Sequence, residues 1–198
     1  DALNRTVAAT APDGSVHRPA YNEANLIERV DVHIRGAGAA TPFVTNVDYN
    51  ARGQRERIEY ANGARTEYDY DPLTFRVTRL RTTRPADSGS VSGRLFASPT
   101  TVQDLRYTYD PVGNITRIED ASLKTIARGG QQVEPVGAYT YDAVYRLIEA
   151  EGREHIGQTA VDFNPPNGDY RDYPFVGNHA HPNDLQALHN YTDRYEYD

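Results

Sequence analysis

Apolar and polar residues alternate here in short runs, each broken by a turn signal. Arg57-Ile58-Glu59-Tyr60 has the two-residue period of a half-buried strand. Ala61-Asn62-Gly63-Ala64 follows, and Asn62-Gly63 is a strong hairpin signal. From Arg65 to Asp71 the alternation resumes, with Tyr68 and Tyr70 on one face and Glu67, Asp69 and Asp71 on the other. Before this stretch, Tyr49-Asn50-Ala51-Arg52-Gly53-Gln54 reads as a turn in which Gly53 is free to take positive φ. The result is two strands and two tight turns in 21 residues.

This plan recurs. A Tyr-rich run ends on Asp at Tyr68-Asp69-Tyr70-Asp71, Tyr107-Thr108-Tyr109-Asp110, Tyr139-Thr140-Tyr141-Asp142 and Tyr195-Glu196-Tyr197-Asp198. Tyr21-Asn22 and Tyr49-Asn50 are weaker copies, and Asp1 heads a run of the same kind. The marks fall at 1, 22, 50, 71, 110, 142 and 198. The spacing of 21 is the bare repeat, and the longer spacings carry insertions. Gly113 follows Asp110 in the expected turn position, Gly14 marks the first hairpin, Gly152 is expected at a turn after Leu147-Ile148-Glu149-Ala150, and the turn after Asp142 has no glycine.

Repeats of this length predict an all-β fold of stacked antiparallel hairpins forming one curved sheet, with residues 1–198 as a single array segment. A lone hairpin cannot offset its own ordering entropy, so each must pair with the next. The tyrosines at fixed positions (Tyr49, Tyr68, Tyr70, Tyr107, Tyr109, Tyr139, Tyr141, Tyr197) are expected to form a ladder between repeats. Asp71, Asp110, Asp142 and Asp198 are expected to cap the turns that follow them. Insertions are expected at 34–42, 84–99, 129–137 and 158–190, with a short helix capped by Asn183 near the end of the last. Both ends fall at a Tyr-Asp mark, which predicts a piece of a longer array.

Composition supports a thin sheet over an oily globule. Only 38% of residues are apolar, and 15 tyrosines must supply much of the buried area. The net charge of −7 argues against nucleic acid as a partner. Lys124 is the only lysine, so basic charge is almost all arginine, suited to bidentate pairing and to stacking on rings. The absence of cysteine rules out disulfides and thiolate metal sites. No apolar run approaches the roughly 20 residues of a membrane helix, so membrane insertion by this segment is not expected.

Candidate chemistry is sparse. His179-Ala180-His181 with His189 has metal-ligand character, but a Pro- and Asn-rich loop is a poor preformed cage, so no metal or cofactor is expected. No carboxylate pair stands out among 28, and no serine sits in a nucleophile-elbow pattern, so no catalytic residue is expected. The tyrosine rows leave open a second reading, a platform for glycan stacking.

The motif Tyr-Asp-x-x-Gly-Asn/Arg followed by an apolar residue resembles the Rhs or YD-repeat family, most closely from Tyr107 to Ile118 and from Tyr139 to Gly152. Leu105 to Ile115 and Tyr141 to Ala150 are similar to stretches of the B and C components of bacterial insecticidal toxin complexes and their SpvB-like relatives. The resemblance implies a sheet strip that winds into a hollow shell around a toxic C-terminal polypeptide, in a protein that is secreted or at the bacterial cell surface. It implies as partners the rest of the parent shell, the enclosed toxin and other toxin-complex subunits. The family's self-cleaving aspartyl site carries an Asp-Pro-x-Gly signature after the array. Asp110-Pro111-Val112-Gly113 has those letters but lies mid-array and lacks the following Asp, so this stretch is expected to be wall only. The alternative is an adhesion module that binds carbohydrate or protein with the same sheet.

Overall fold

The computed structural model describes residues 1–85, 100–155 and 184–198. Among them lie fourteen strands: β1 (Ala9–Thr10), β2 (Val16–Tyr21), β3 (Ile27–His33), β4 (Thr41–Tyr49), β5 (Arg55–Tyr60), β6 (Arg65–Tyr70), β7 (Val77–Thr83), β8 (Thr101–Tyr109), β9 (Ile115–Asp120), β10 (Ile126–Arg128), β11 (Gln131–Val133), β12 (Val136–Tyr141), β13 (Leu147–His155) and β14 (Leu188–Arg194). Two single 3-10 turns, Ile34–Gly36 and Leu185–Ala187, are the helical elements described. The expected all-β, antiparallel class holds.

The chain divides into two compact bodies, Asp1–Asp104 and Leu105–Asp198. In the first, β1 to β7 and the start of β8 neighbour one another in chain order. In the second, the end of β8 is followed by β9, β12, β13 and β14, while β10 and β11 form a separate hairpin. Gly129 and Gly130 at its tip have φ of 57° and 80°, as a two-residue type I′ turn requires.

One irregularity recurs. Pairing shifts register immediately before the tyrosine of five marks, between Ala20 and Tyr21, Asp48 and Tyr49, Asp69 and Tyr70, Thr108 and Tyr109, and Thr140 and Tyr141. A bulge leaves one residue unpaired and sharpens local twist, so the same device closes these five repeats.

Burial is thin in the first body, where Val32, Val47, Ile58 and Thr66 lie along one face of the sheet. The opposite face carries cross-strand charge. Arg57 pairs with Asp48 at 2.7 Å, and Arg79 grips Asp104 through Nε at 2.6 Å and Nη2 at 2.8 Å. In the second body the β10–β11 hairpin makes a local second layer. The Asn190 amide donates to the Gln132 carbonyl at 3.1 Å, Arg153 donates to the Lys124 carbonyl at 3.2 Å, and Val133 and Ala187 are buried.

Several expectations need correction. Gly152 is not in a turn; it sits inside β13 opposite Tyr191, whose ring occupies the space a side chain would take. The insertion expected at 129–137 holds β11, and Gly137 belongs to β12. Pro42 belongs to β4. The last insertion ends earlier than expected, because β14 begins at Leu188. The short helix is a single 3-10 turn capped by Asp184, whose side chain accepts the Gln186 N–H; Asn183 lies outside the described residues. At Asn62-Gly63 only the glycine has positive φ, and its N–H bonds to the Tyr60 carbonyl at 2.9 Å. That is a three-residue loop, held by the Asn62 side chain accepting the Ala64 N–H.

Candidate functional site

The residues that recur in sequence also recur in geometry, at the turn after each mark. Asn22, Asn50, Asp110 and Asp142 each donate their N–H to the carbonyl four residues on, at 2.9–3.0 Å. The residue three places on returns its N–H to the first carbonyl, as Gly53 does to Asn50 at 2.9 Å and Tyr145 to Asp142 at 3.0 Å. Asp1 makes the same turn, its terminal ammonium donating to the Arg5 carbonyl. At Asp71 the loop is one residue longer and closes through Phe75.

This geometry places one residue of each turn in the left-handed region. It is Asn4, Asn25, Gly53, Phe75, Gly113 or Tyr145, with φ from 58° to 115°. Gly14 and Gly63, in the hairpins between marks, take the same conformation.

The side chain of the mark caps its own turn. Oδ1 of Asp142 accepts the N–H groups of Val144 and Arg146, both at 2.9 Å. Asp71 accepts those of Leu73 and Thr74, and Asp110 those of Gly113 and Asn114. The backbone N–H of Thr74 holds the Asp71 carboxyl below its ordinary pKa, and that of Arg146 does the same for Asp142. At Asp110 burial pushes upward, but bonds from Asn114 and Gly113 outweigh it and the pKa is lowered.

A fixed position four residues after the mark completes the cap. Arg5 Nε donates to Asp1 Oδ2 at 2.8 Å, Asn114 Nδ2 to Asp110 Oδ2 at 2.8 Å, and Arg146 Nε to Asp142 Oδ2 at 2.8 Å. Where the mark is Asn50 the direction reverses, and its amide donates to Gln54 Oε1 at 3.0 Å. In these four turns a carboxylate mark meets a donor and the amide mark meets an amide; after Asn22 and Asp71 the same position holds Leu26 and Phe75.

The tyrosine before five of the marks reaches back to the preceding repeat. Tyr21 donates its hydroxyl to the carbonyl of Thr6 at 2.8 Å, Tyr49 to Ile27 at 2.6 Å, Tyr70 to Arg55 at 2.8 Å, Tyr141 to Ile115 at 2.9 Å and Tyr197 to Leu147 at 2.7 Å. Each acceptor is the fifth residue after the preceding mark. Burial pushes the phenols of Tyr49, Tyr70 and Tyr141 above their ordinary pKa. Arg5 and Arg146 also lie over the rings of Tyr21 and Tyr197, 4.6 and 4.7 Å from the centroids. One guanidinium therefore links the carboxylate of its own turn to the phenol of the next repeat.

Of the other expected ladder positions, Tyr68 lies opposite Leu80, Tyr107 opposite Ile118, and Tyr109 opposite Ile115. Tyr139 lies opposite Ala150, with its hydroxyl over Gly137. Asp198 is the terminal residue and lies beyond the last strand. Sequence reasoning missed Arg5, Gln54, Asn114 and Arg146, although their constant offset from the mark was a visible signal. His189 pairs with Glu154 at 3.0 Å, His179 and His181 lie outside the described residues, and among the described residues no cluster of metal-binding side chains occurs.

No family model matches the chain. The chain is 35% identical over its whole length to the toxin subunit YenC1 of Yersinia entomophaga, and 32% identical to YenC2 of the same organism. It is a homologue of bacterial toxin-complex subunits. Solved structures agree. The TcdB2-TccC3 crystal structure matches all of it with a TM-score of 0.66 at 31% identity, and the Photorhabdus luminescens Tc holotoxin pore with 0.68 at 31%. This toxin-complex homologue spans 18% of YenC1 and 8% of the TcdB2-TccC3 chain.

Proposed function

We propose that this segment is part of the wall of an Rhs-type shell that encloses a toxic C-terminal polypeptide, in a secreted toxin complex, and that it acts without catalysis. The observation that carries the reading is the series of tyrosine bonds, each joining a repeat to the one before it through a backbone carbonyl. A strip built this way is extended by adding repeats, which is what a wall requires and what a discrete active site does not. The same bonds favour a structural ladder over a glycan platform, because these tyrosines spend their hydroxyls on the backbone.

Limited proteolysis of the full-length polypeptide tests this. A reporter peptide placed at its C-terminus is expected to resist protease, and to become cleavable when residues 50–70 are deleted. A reporter cleaved equally fast in both forms would end the wall reading. Hydrolase or transferase activity lost on changing a single carboxylate would end the non-catalytic part of it.

A further inference from the structure

We propose that Asn62 is a site of self-modification, where the Gly63 backbone nitrogen attacks the side-chain amide and converts it slowly to aspartate and isoaspartate. Among the described residues, Asn62 is the one asparagine followed by glycine. It stands at the tip of the β5–β6 loop, between Ala61 and Gly63, and all three are exposed. With no Cβ on the following residue, nothing screens that nitrogen from the carboxamide one position back.

The turn also prepares the carbonyl that is attacked. Asn62 Oδ1 accepts the Ala64 N–H at 3.0 Å. That bond folds the side chain over the Gly63 peptide, draws electron density from Cγ and stabilises the oxyanion of the tetrahedral intermediate. One bond opposes attack, because the Gly63 N–H is held by the Tyr60 carbonyl at 2.9 Å. It belongs to a loop of exposed residues, so breaking it requires only local opening of the tip.

Asn22 and Asn50 are internal controls. Their Oδ1 atoms also accept backbone N–H groups, two and four residues on. The next residue there is Glu23 or Ala51, so a side chain stands beside the nitrogen. Asn114 is followed by β-branched Ile115, and its amide donates to Asp110 at 2.8 Å.

The reaction needs water alone as co-reactant. The Gly63 nitrogen gives up its proton and bonds to Asn62 Cγ; the Cγ–Nδ2 bond breaks, and ammonia leaves with that proton. Water then opens the cyclic imide. Opening at one carbonyl yields aspartate, and opening at the other carries the backbone through the former side chain as isoaspartate. Isoaspartate adds one carbon to a loop whose length holds Glu59 opposite Arg65, so the modification loosens this repeat irreversibly. None of this depends on the wall reading.

Warm incubation of the folded, full-length polypeptide at mildly alkaline pH tests it, read by peptide mass spectrometry with fragmentation that separates aspartate from isoaspartate. The peptide holding Asn62 is expected to convert about tenfold faster, or more, than those holding Asn22, Asn50 or Asn114, with isoaspartate the larger product. Asn62→Ser keeps an acceptor for the Ala64 N–H and has no amide to lose, so its peptide is expected to show no change. Conversion of Asn62 no faster than of Asn22 or Asn50 would overturn the proposal. Conversion seen only in urea would do the same, since the Tyr60 bond would then lock the folded turn.

Discussion

Tyr141 donates its hydroxyl to the carbonyl of Ile115 at 2.9 Å, although 26 positions separate them in sequence. The bond spans one whole repeat. It leaves from the residue that follows a register shift and arrives at the first residue after the preceding turn.

Removing only the hydroxyl isolates that bond. Tyr141→Phe is expected to lower unfolding free energy by about 0.5–1.5 kcal/mol, the net worth of one hydrogen bond plus the cost of an orphaned carbonyl. Tyr141→Ala should cost more, roughly 2 kcal/mol, and less than a fully buried ring because the side chain is half-buried. Urea unfolding measures both, and a Phe variant as stable as the parent residue would show that the bond contributes nothing.

Gly152 and Tyr191 form a second pair. A Cβ on Gly152 would lie 2.8–2.9 Å from three atoms of the Tyr191 ring, inside contact distance. Gly152→Ala is expected to cost about 1–2 kcal/mol through displacement of that ring. In a Tyr191→Ala background the same change should be neutral or stabilising, because alanine favours a strand over glycine once the ring is gone. Additive effects of the two changes would refute the contact.

Tyr145 occupies the left-handed position of its turn at φ 67° with 59% of its surface exposed, so it carries backbone strain with little packing in return. Asn25 fills the equivalent position of another repeat. Tyr145→Asn is therefore expected to raise stability by about 0.5–1 kcal/mol. A thermal melt that moves downward would show that the ring has a packing role.

The turn carboxylates set an acid limit. The folded-state pKa values of Asp71, Asp110 and Asp142 are all lowered. Such groups contribute stability above the unfolded value of about 4, and lose it as pH falls through the lower folded value. Melting temperature is expected to be flat from neutral pH to about 5 and to fall below that. Asp142→Asn should shallow the acid slope, since one of the lowered carboxylates is removed. An unchanged slope would mean that this carboxylate is not coupled to folding.

The turns were legible because their chemistry is local. Asp142 caps N–H groups two and four residues away, and Gly53 or Gly113 meets a φ demand set within the same five residues. The alternation of Arg57 to Tyr60 marked a strand for the same reason. Gly152 misled because a glycine after an apolar run reads as a turn; its partner is Tyr191, 39 positions on, which no local pattern announces. The bulges were equally hidden, since one skipped residue leaves no mark in a row of alternating side chains. Arg5, Asn114 and Arg146 stood at a constant distance from each mark, yet their role emerged only when the side chains were seen to close on it.

By itself the sequence determined the β class and the positions of capped turns such as those after Asp71, Asp110 and Asp142, because strand period, turn φ and Asx capping act within a few residues. Tertiary structure alone determined where the phenols land and which glycine makes room for a ring. Those features arise from pairing between strands distant in sequence, and register between strands is a property of the assembled sheet.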